Sequence, residues 1–128
     1  MIYIDSSVAL AYLLAEPRSP RTGLWKESLT SSTLLEYEVW TRVNPLGRSA
    51  SLGDAVRALL NRTSLIEMDR PALARALEPW PLPLRTLDGL HLSTISFLRQ
   101  QGEAIELASY DNRLISTAQA IGIAVASL

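Results

Sequence analysis

The sequence predicts an α/β fold of three layers, with helices on both faces of a central, mainly parallel sheet. Two observations predict it. Short apolar runs of strand length alternate with segments that repeat apolar residues at helical spacing, as expected of strand–helix–strand units whose crossovers cover both faces of a parallel sheet. Four acidic residues far apart in the chain, Asp5, Glu38, Asp88 and Asp111, stand at strand ends or in helices. At least three of them fall where a doubly wound fold gathers its functional groups, at the carboxyl rim of the strands.

Met1 to Asp5 reads as a buried strand, followed by a helix that Ser6 and Ser7 can cap and that Glu16-Pro17 ends after Leu14. A second helix is expected over Pro20 to Ser28 with Leu24 and Trp25 inward, then a short strand over Leu29 to Ser32. The serines of that strand or Thr33 lead into a helix through Val43, which Asn44-Pro45-Leu46-Gly47 terminates. Leu52, Val56, Leu59 and Leu60 give Ser51 to Arg62 a helical period, and Leu65 to Met68 reads as a strand at a sheet edge. A short helix over Arg70 to Leu77 precedes a loop, because Pro79, Pro81 and Pro83 remove donors and fix φ. Thr86 is placed as the cap of a long helix to Gln101, stopped by Gly102. Ala104 to Ser109 follows as a strand, Asn112 to Ala120 as a helix, Gly122 as its cap and Ile123 to Ala126 as the final strand.

The 128 residues, 48% of them hydrophobic, suffice for one domain with a real core, and no repeat or low-complexity segment divides residues 1–128. A net charge of −1 excludes the overall basic footprint of a dedicated nucleic-acid-binding domain, so any polyanion is met locally. Eleven of the twelve basic residues are arginine, which suits bidentate contact with phosphate and also follows from GC-rich coding. The absence of cysteine excludes disulfides, thiolate zinc sites and a cysteine nucleophile. With no basic leader and no apolar run near the length of a membrane span, the expected location is cytoplasmic.

Each acid has a structural reading beside the functional one. Asp5 and Asp111 can serve as helix N-caps, and Asp88 lies in a first turn where negative charge is favourable in any case. Glu36 and Glu38 are roughly 200° apart around their helix, so only one can face the cluster. Glu38 shares a face with Leu34, Leu35 and Arg42, and Glu36 one with Val39 and Trp40, which favours Glu38 as the inward acid. If the fold gathers the four, a divalent cation is needed to offset like charges that are matched by no lysine. Hard oxygen ligands suit Mg²⁺, which keeps several waters and binds directly through only one or two carboxylates. Asp5 and Asp111 are the expected direct ligands, with Glu38 and Asp88 acting through water or as orienters.

His91, the only histidine, stands one turn after Asp88 and can orient it or touch substrate. With no histidine or cysteine partner at ligand spacing it is not a metal ligand, and a satisfied structural role is the plainer reading. Trp25 and Trp40 read as core, and Trp80 as packing with an option on base stacking. The apolar content of the first half, including Leu24, Trp25, Leu34, Leu35 and Trp40, exceeds what a small sheet easily covers and suggests a subunit or partner surface.

Met1-Ile-Tyr-Ile-Asp5-Ser-Ser7, Ser32-Thr-Leu-Leu-Glu-Tyr-Glu38-Val39, Leu84-Arg-Thr-Leu-Asp88-Gly-Leu-His91-Leu92 and Ser109-Tyr-Asp111-Asn-Arg-Leu114 with the later Gly122 together resemble the PIN-domain family, and within it the VapC toxins. The resemblance runs through nearly the whole chain in order. It implies a PIN-like fold and a Mg²⁺- or Mn²⁺-dependent endoribonuclease acting as the toxin of a toxin–antitoxin pair. Asp5, Glu38, Asp88 and Asp111 are the positions matching the family's acidic residues. It further implies an RNA substrate, with tRNA and rRNA as the candidates, a VapB-like antitoxin and a homodimer. The family's glutamate stands six residues after the serine matched by Ser32, which again selects Glu38. Ser6 and Ser109 stand where threonine is common and keep a hydroxyl able to hydrogen-bond a carboxylate, and Gly89 replaces a frequent alanine.

Two other readings compete. A non-catalytic, Mg²⁺-binding receiver-like module also gathers aspartates at a sheet rim, but it resembles its kin in having a lysine after a late strand, and the single lysine here is Lys26. A structural module whose acids are only caps has no reason to bind a divalent cation.

Overall fold

Ile2, Tyr3 and Ile4 are all buried, and their alternation sends Ile2 and Ile4 to one face of a sheet and Tyr3 to the other. A strand covered on both sides sits in the middle of its sheet. The computed structural model, which describes residues Met1–Leu128, shows this arrangement. The strands are β1 (Ile2–Ile4), β2 (Leu29–Ser32), β3 (Thr63–Ile66), β4 (Glu106–Ala108) and β5 (Ala124–Val125). They lie in the order β3-β2-β1-β4-β5, and every neighbouring pair is parallel. The chain steps outward from β1 through β2 to β3, then crosses back to β4 and β5, so its direction reverses beside β1 and β4. That reversal is the topological switch point at whose carboxyl side such folds place their sites.

The helices are α1 (Ser6–Leu13), α2 (Leu34–Val43), α3 (Ser49–Arg62), α4 (Arg70–Leu73), α5 (Thr86–Gln100) and α6 (Asn112–Ala120). On one face, α1, α2 and α3 bury Val8, Leu13, Leu35, Val39, Val56 and Leu59 against Ile2 and Ile4. On the other, α5 and α6 bury Leu92, Ile95, Leu98, Leu114 and Ala118 around Tyr3 and Leu107. Each fully buried side chain of this size contributes about 1.5–3 kcal/mol, which is what holds the three layers together. β2 is buried along its whole length yet carries three hydroxyls, and each is satisfied. Thr30 donates to the Ser64 carbonyl at 2.9 Å, Ser31 to the Ile4 carbonyl at 2.7 Å, and the Ser32 Oγ accepts the Leu34 N–H at 3.0 Å. No helix is long and apolar enough to cross a membrane.

Several local expectations are corrected. The helix expected over residues 20–28 is only a 3₁₀ turn, Thr22–Lys26, in which Leu24 is buried and Trp25 rests half-buried on Tyr12 with ring centroids 4.5 Å apart. β3 starts directly from α3, two residues earlier than expected, because the Thr63 hydroxyl bonds the Leu59 carbonyl while its backbone pairs with Leu29. Asp69 then caps α4 through the Ala72 N–H, which leaves Met68 outside the strand, and a 3₁₀ turn, Ala74–Leu77, replaces the second half of the short helix. Neither Ser6 nor Ser7 caps α1, since Asp5 does, and the position before α5 is held by Arg85 with no side-chain cap, Thr86 being the first helical residue. Gly102 and Gly122 end α5 and α6 with φ of +90° and +79°, as their placement as stops requires. Leu24, Leu34 and Leu35 belong to the core, and Trp25 and Trp40 pack partly buried against it, so these residues are not a spare apolar surface.

Candidate active site

Asp5 follows the last residue of β1, and its carboxylate does two things at once. Oδ1 accepts the Val8 N–H at 3.2 Å, which caps α1, and the Ser7 hydroxyl at 2.6 Å. Oδ2 accepts the Ser109 hydroxyl at 2.5 Å. The side chain is held on both oxygens and is only 5% exposed. Burial pushes its pKa above the ordinary aspartate value, with the Ser109 and Ser7 hydroxyls pulling the other way.

The same two serines tie the end of β4 to the end of β1. Ser7 Oγ accepts the Tyr110 N–H at 2.9 Å, and Ser109 Oγ accepts the Asp111 N–H at 2.9 Å. Asp111 is thereby fixed beside Asp5, and its own Oδ1 caps α6 through the Arg113 and Leu114 N–H groups at 2.9 and 3.3 Å. Capping and membership of the acidic group are not alternatives here. Asp5 and Asp111 cap with one oxygen each because helices start where parallel strands end, which is also where the switch-point crevice opens.

Glu38, on α2, turns inward and Glu36 is exposed. The expected inward face is right for Glu38, Leu34 and Leu35 but wrong for Arg42, which is exposed, and for Val39, which the sequence groups with Glu36 and which is fully buried. Glu38 Oε1 meets His91 Nε2 at 2.5 Å, and Oε2 accepts the Ser6 hydroxyl at 3.1 Å. His91 is itself buried on α5, and its Nδ1 lies 2.6 Å from the Tyr3 hydroxyl, whose oxygen accepts the Ser32 N–H at 3.1 Å. The phenol is fully buried, which raises its pKa and keeps it a neutral hydroxyl. When that hydroxyl donates to Nδ1 of a neutral imidazole, Nε2 carries the proton and donates it to Glu38. The sequence offers His91 as a partner for Asp88, one turn away; the structure gives it to Glu38 across the sheet rim. Tyr3, read from the sequence only as a strand residue, is the other missed member, and its hydroxyl at the centre of a buried strand is the one available signal.

Asp88 completes the group from the first turn of α5, half-buried, with an Oδ2 that is shielded from solvent and has no hydrogen-bond partner. Its pKa is raised to about 6, first by desolvation and then by repulsion from Asp111, with smaller contributions of the same sign from Asp5 and Glu38 and an opposing one from His91. The four acids therefore share one electrostatic neighbourhood. No three acidic or imidazole groups are drawn together closely enough to hold a metal ion as placed. Asp5, Glu38 and Asp111 turn oxygens to hydroxyl, imidazole and amide donors instead. Trp80 packs beside Gly89 with the Arg75 guanidinium stacked 4.0 Å from its ring centroid, so it is a packing residue and not a free platform for a base.

The doubly wound sheet, the four acids at its switch point and their order along the chain define a class. The PIN-domain family model matches residues 2–127, and the chain belongs to that family. Within it, the chain groups with the VapC ribonucleases. It is 32% identical over 127 residues to ribonuclease VapC46 of Mycobacterium tuberculosis, covering 97% of this chain and 95% of that protein. It is 28% identical over 134 residues to ribonuclease VapC47, covering 99% and 96%, and 29% identical over 131 residues to ribonuclease VapC35, covering 98% and 95%, both also from M. tuberculosis. No solved structure matches the chain significantly.

Proposed function

We propose that this chain is a divalent-metal-dependent endoribonuclease, the toxin of a toxin–antitoxin pair, with Asp5, Glu38, Asp88 and Asp111 as its active site. The observation that carries the proposal is the orphaned Oδ2 of Asp88 among three other carboxylates. A shielded carboxylate oxygen without a donor, on a group raised in pKa first by desolvation and then by like charges, is the environment that a cation relieves. An all-oxygen donor set fits Mg²⁺ or Mn²⁺. Asp88 would hold the ion through its unpartnered Oδ2, joined by Asp5 and Asp111 once these turn from their present hydroxyl and amide donors, and Glu38 would complete the set or orient the attacking water. The bound cation supplies charge neutralisation at the scissile phosphate and lowers the pKa of water.

The chain's own residues prepare this chemistry. Ser7 and Ser109 keep the Asp5 carboxylate at the end of β1, and the Ser109 hydroxyl fixes the backbone of Asp111 beside it. His91 holds Glu38 by Oε1 and leaves Oε2 against the Ser6 hydroxyl, from which it can take a hydrogen bond from water. The substrate is RNA, with tRNA and rRNA as the candidate classes. A VapB-like antitoxin silences the enzyme by placing a cationic side chain into the acidic rim, the working form is a homodimer, and the setting is the cytoplasm.

The reading in which the acids are only caps accounts for Asp5 and Asp111 but not for Glu38, which lies inside α2, nor for Asp88, whose place in a first turn does not explain its shielded Oδ2 without a donor. Titration with Mn²⁺ separates the two, because a capping carboxylate has no reason to bind it. Mapping transcript ends after induction of the wild type and of Asp5→Asn, side by side, tests the activity itself. New ends that arise with both proteins equally would defeat the assignment.

A further inference from the structure

The rim also carries positive charge. Arg85 occupies the position immediately before α5, whose first turn bears Asp88, and Arg113 is the second residue of α6, which Asp111 caps. Both are exposed, and neither guanidinium takes part in any ion pair of the chain, although acids of the rim are their near neighbours in sequence. The two arginines line one open groove of about 600 Å³. Leu82 and Leu84 of the proline-rich loop form its apolar side, and Asn112 and Ser116, on the same face of α6 as Arg113, form its polar side. Leu82 is 41% exposed there.

We propose that this groove binds the single-stranded RNA segment beside the scissile phosphate, with Arg85 and Arg113 on backbone phosphates and Leu82 and Leu84 against a base. The inference rests on the ribonuclease reading and adds the residues that hold the substrate. A chain of net charge −1 with four acids at its site repels a polyanion, so attraction has to be supplied next to the acids. Two unpaired guanidiniums on the turns that carry Asp88 and Asp111 supply it there. A groove of about 600 Å³, in the size range of small-molecule sites, takes one or two nucleotides of a single strand. Asn112 and Ser116 offer a side-chain amide and a hydroxyl to a base edge or a ribose 2′-OH.

The comparably large cleft at the opposite end of the strands lacks this character. Its Arg21 is paired with Glu27 at 3.5 Å, and Arg99 is bonded to the Ile121 carbonyl at 3.1 Å. An acidic peptide would also find the guanidiniums of the rim groove, but RNA alone brings a scissile phosphate to Asp88 and Asp111, which stand on the same helix starts as Arg85 and Arg113.

The test uses the full chain in an Asp5→Asn background, which keeps the RNA uncut, and reads binding by fluorescence anisotropy of a labelled single-stranded oligoribonucleotide with Mg²⁺ present. Arg85→Ala with Arg113→Ala is expected to weaken binding about tenfold or more. It should also lower the slope of log Kd against log salt by about 1.4, the value for two phosphate contacts to a single strand. Arg48→Ala with Arg70→Ala, the same loss of charge at two other exposed helix starts, is expected to change Kd less than about twofold. If the alanine pair does not fold, Arg85→Gln with Arg113→Gln carries the same expectation.

Equal binding by the groove pair and the control pair overturns the proposal. So does loss of binding to an acidic peptide with RNA affinity unchanged. If the unmutated chain cleaves RNA and the groove variants bind as it does, the groove falls and the ribonuclease reading stands. If the unmutated chain neither binds nor cleaves RNA with Mg²⁺ or Mn²⁺, both fall.

Discussion

Desolvation, and after it the other acids of the rim, make ionisation of Asp88 costly, and the direction of that cost gives a measurable signature. Its folded pKa of about 6 lies above the ordinary value of 3.8, so the folded state holds the proton more tightly than the unfolded state. The stabilisation this brings is fully present below pH 3.8 and is lost as the pH rises through about 6. Metal-free protein should therefore lose thermal stability across that interval. Asp88→Asn, which cannot ionise, should gain on the wild type steadily from pH 4 to pH 7 in paired melting curves. Parallel curves for the two proteins would show that ionising Asp88 carries no such cost. Because a cation has to displace the proton, Mn²⁺ affinity should also weaken below about pH 6. His91 gives a second prediction at this scale. His91→Leu removes the donor to Glu38 and strands the Tyr3 hydroxyl, and it should weaken Mn²⁺ binding roughly 10- to 100-fold. His91→Gln, which keeps an N–H, should recover part of that loss. In a Glu38→Gln background the same substitutions should do little more, since coupled groups are not additive. Full additivity would make His91 a packing residue only.

Among the elements, the helix starts carry both stability and chemistry, and substitutions can separate the two. Asp5→Asn keeps an oxygen to cap α1 and should abolish metal-dependent RNA cleavage with little loss of fold, whereas Asp5→Ala should cost a further 0.5–2 kcal/mol or so of stability from the lost cap. Equal denaturation midpoints for the two variants would remove the capping role. On α2, Glu38→Gln should cost far more activity than Glu36→Gln, and the reverse order in a cleavage assay would mean that the wrong acid has been placed at the site. Elements with a clear period were legible from sequence: Leu29–Ser32 and Asn112–Ala120 lie where expected because capping side chains or turn residues bound them on both sides. Residues 20–28 were not, since a single 3₁₀ turn with one buried leucine has no period to read. The acids were legible because each marks the start of a helix or its first turns. The partners of those acids were not. His91 meets Glu38 across 53 positions of sequence, and the Ser109 hydroxyl meets Asp5 across 104, contacts that only the meeting of α5 with α2 and of β4 with β1 creates.

At the scale of the whole molecule, the free protein should sediment as a homodimer at micromolar concentration, as its membership of the VapC group leads one to expect. A monomer there would defeat that part of the proposal. Antitoxin and Mg²⁺ should compete for the acidic rim, so an inhibitor affinity unchanged by Mg²⁺ would defeat the charge-masking part. The central position of β1 carries a consequence for the birth of the protein. One edge of β1 is filled early, by β2, but the other stays open until β4 is made, and Asp111 comes after that. At translation rates of about 5–20 residues per second, roughly 5–20 seconds separate the synthesis of Asp5 from that of Asp111. On the proposed assignment of the four acids, the nascent chain lacks a complete active site through that interval and should leave uncut the messenger and ribosome that are making it. The same assignment makes cleavage possible only once β4 has entered the sheet and brought Asp111 beside Asp5.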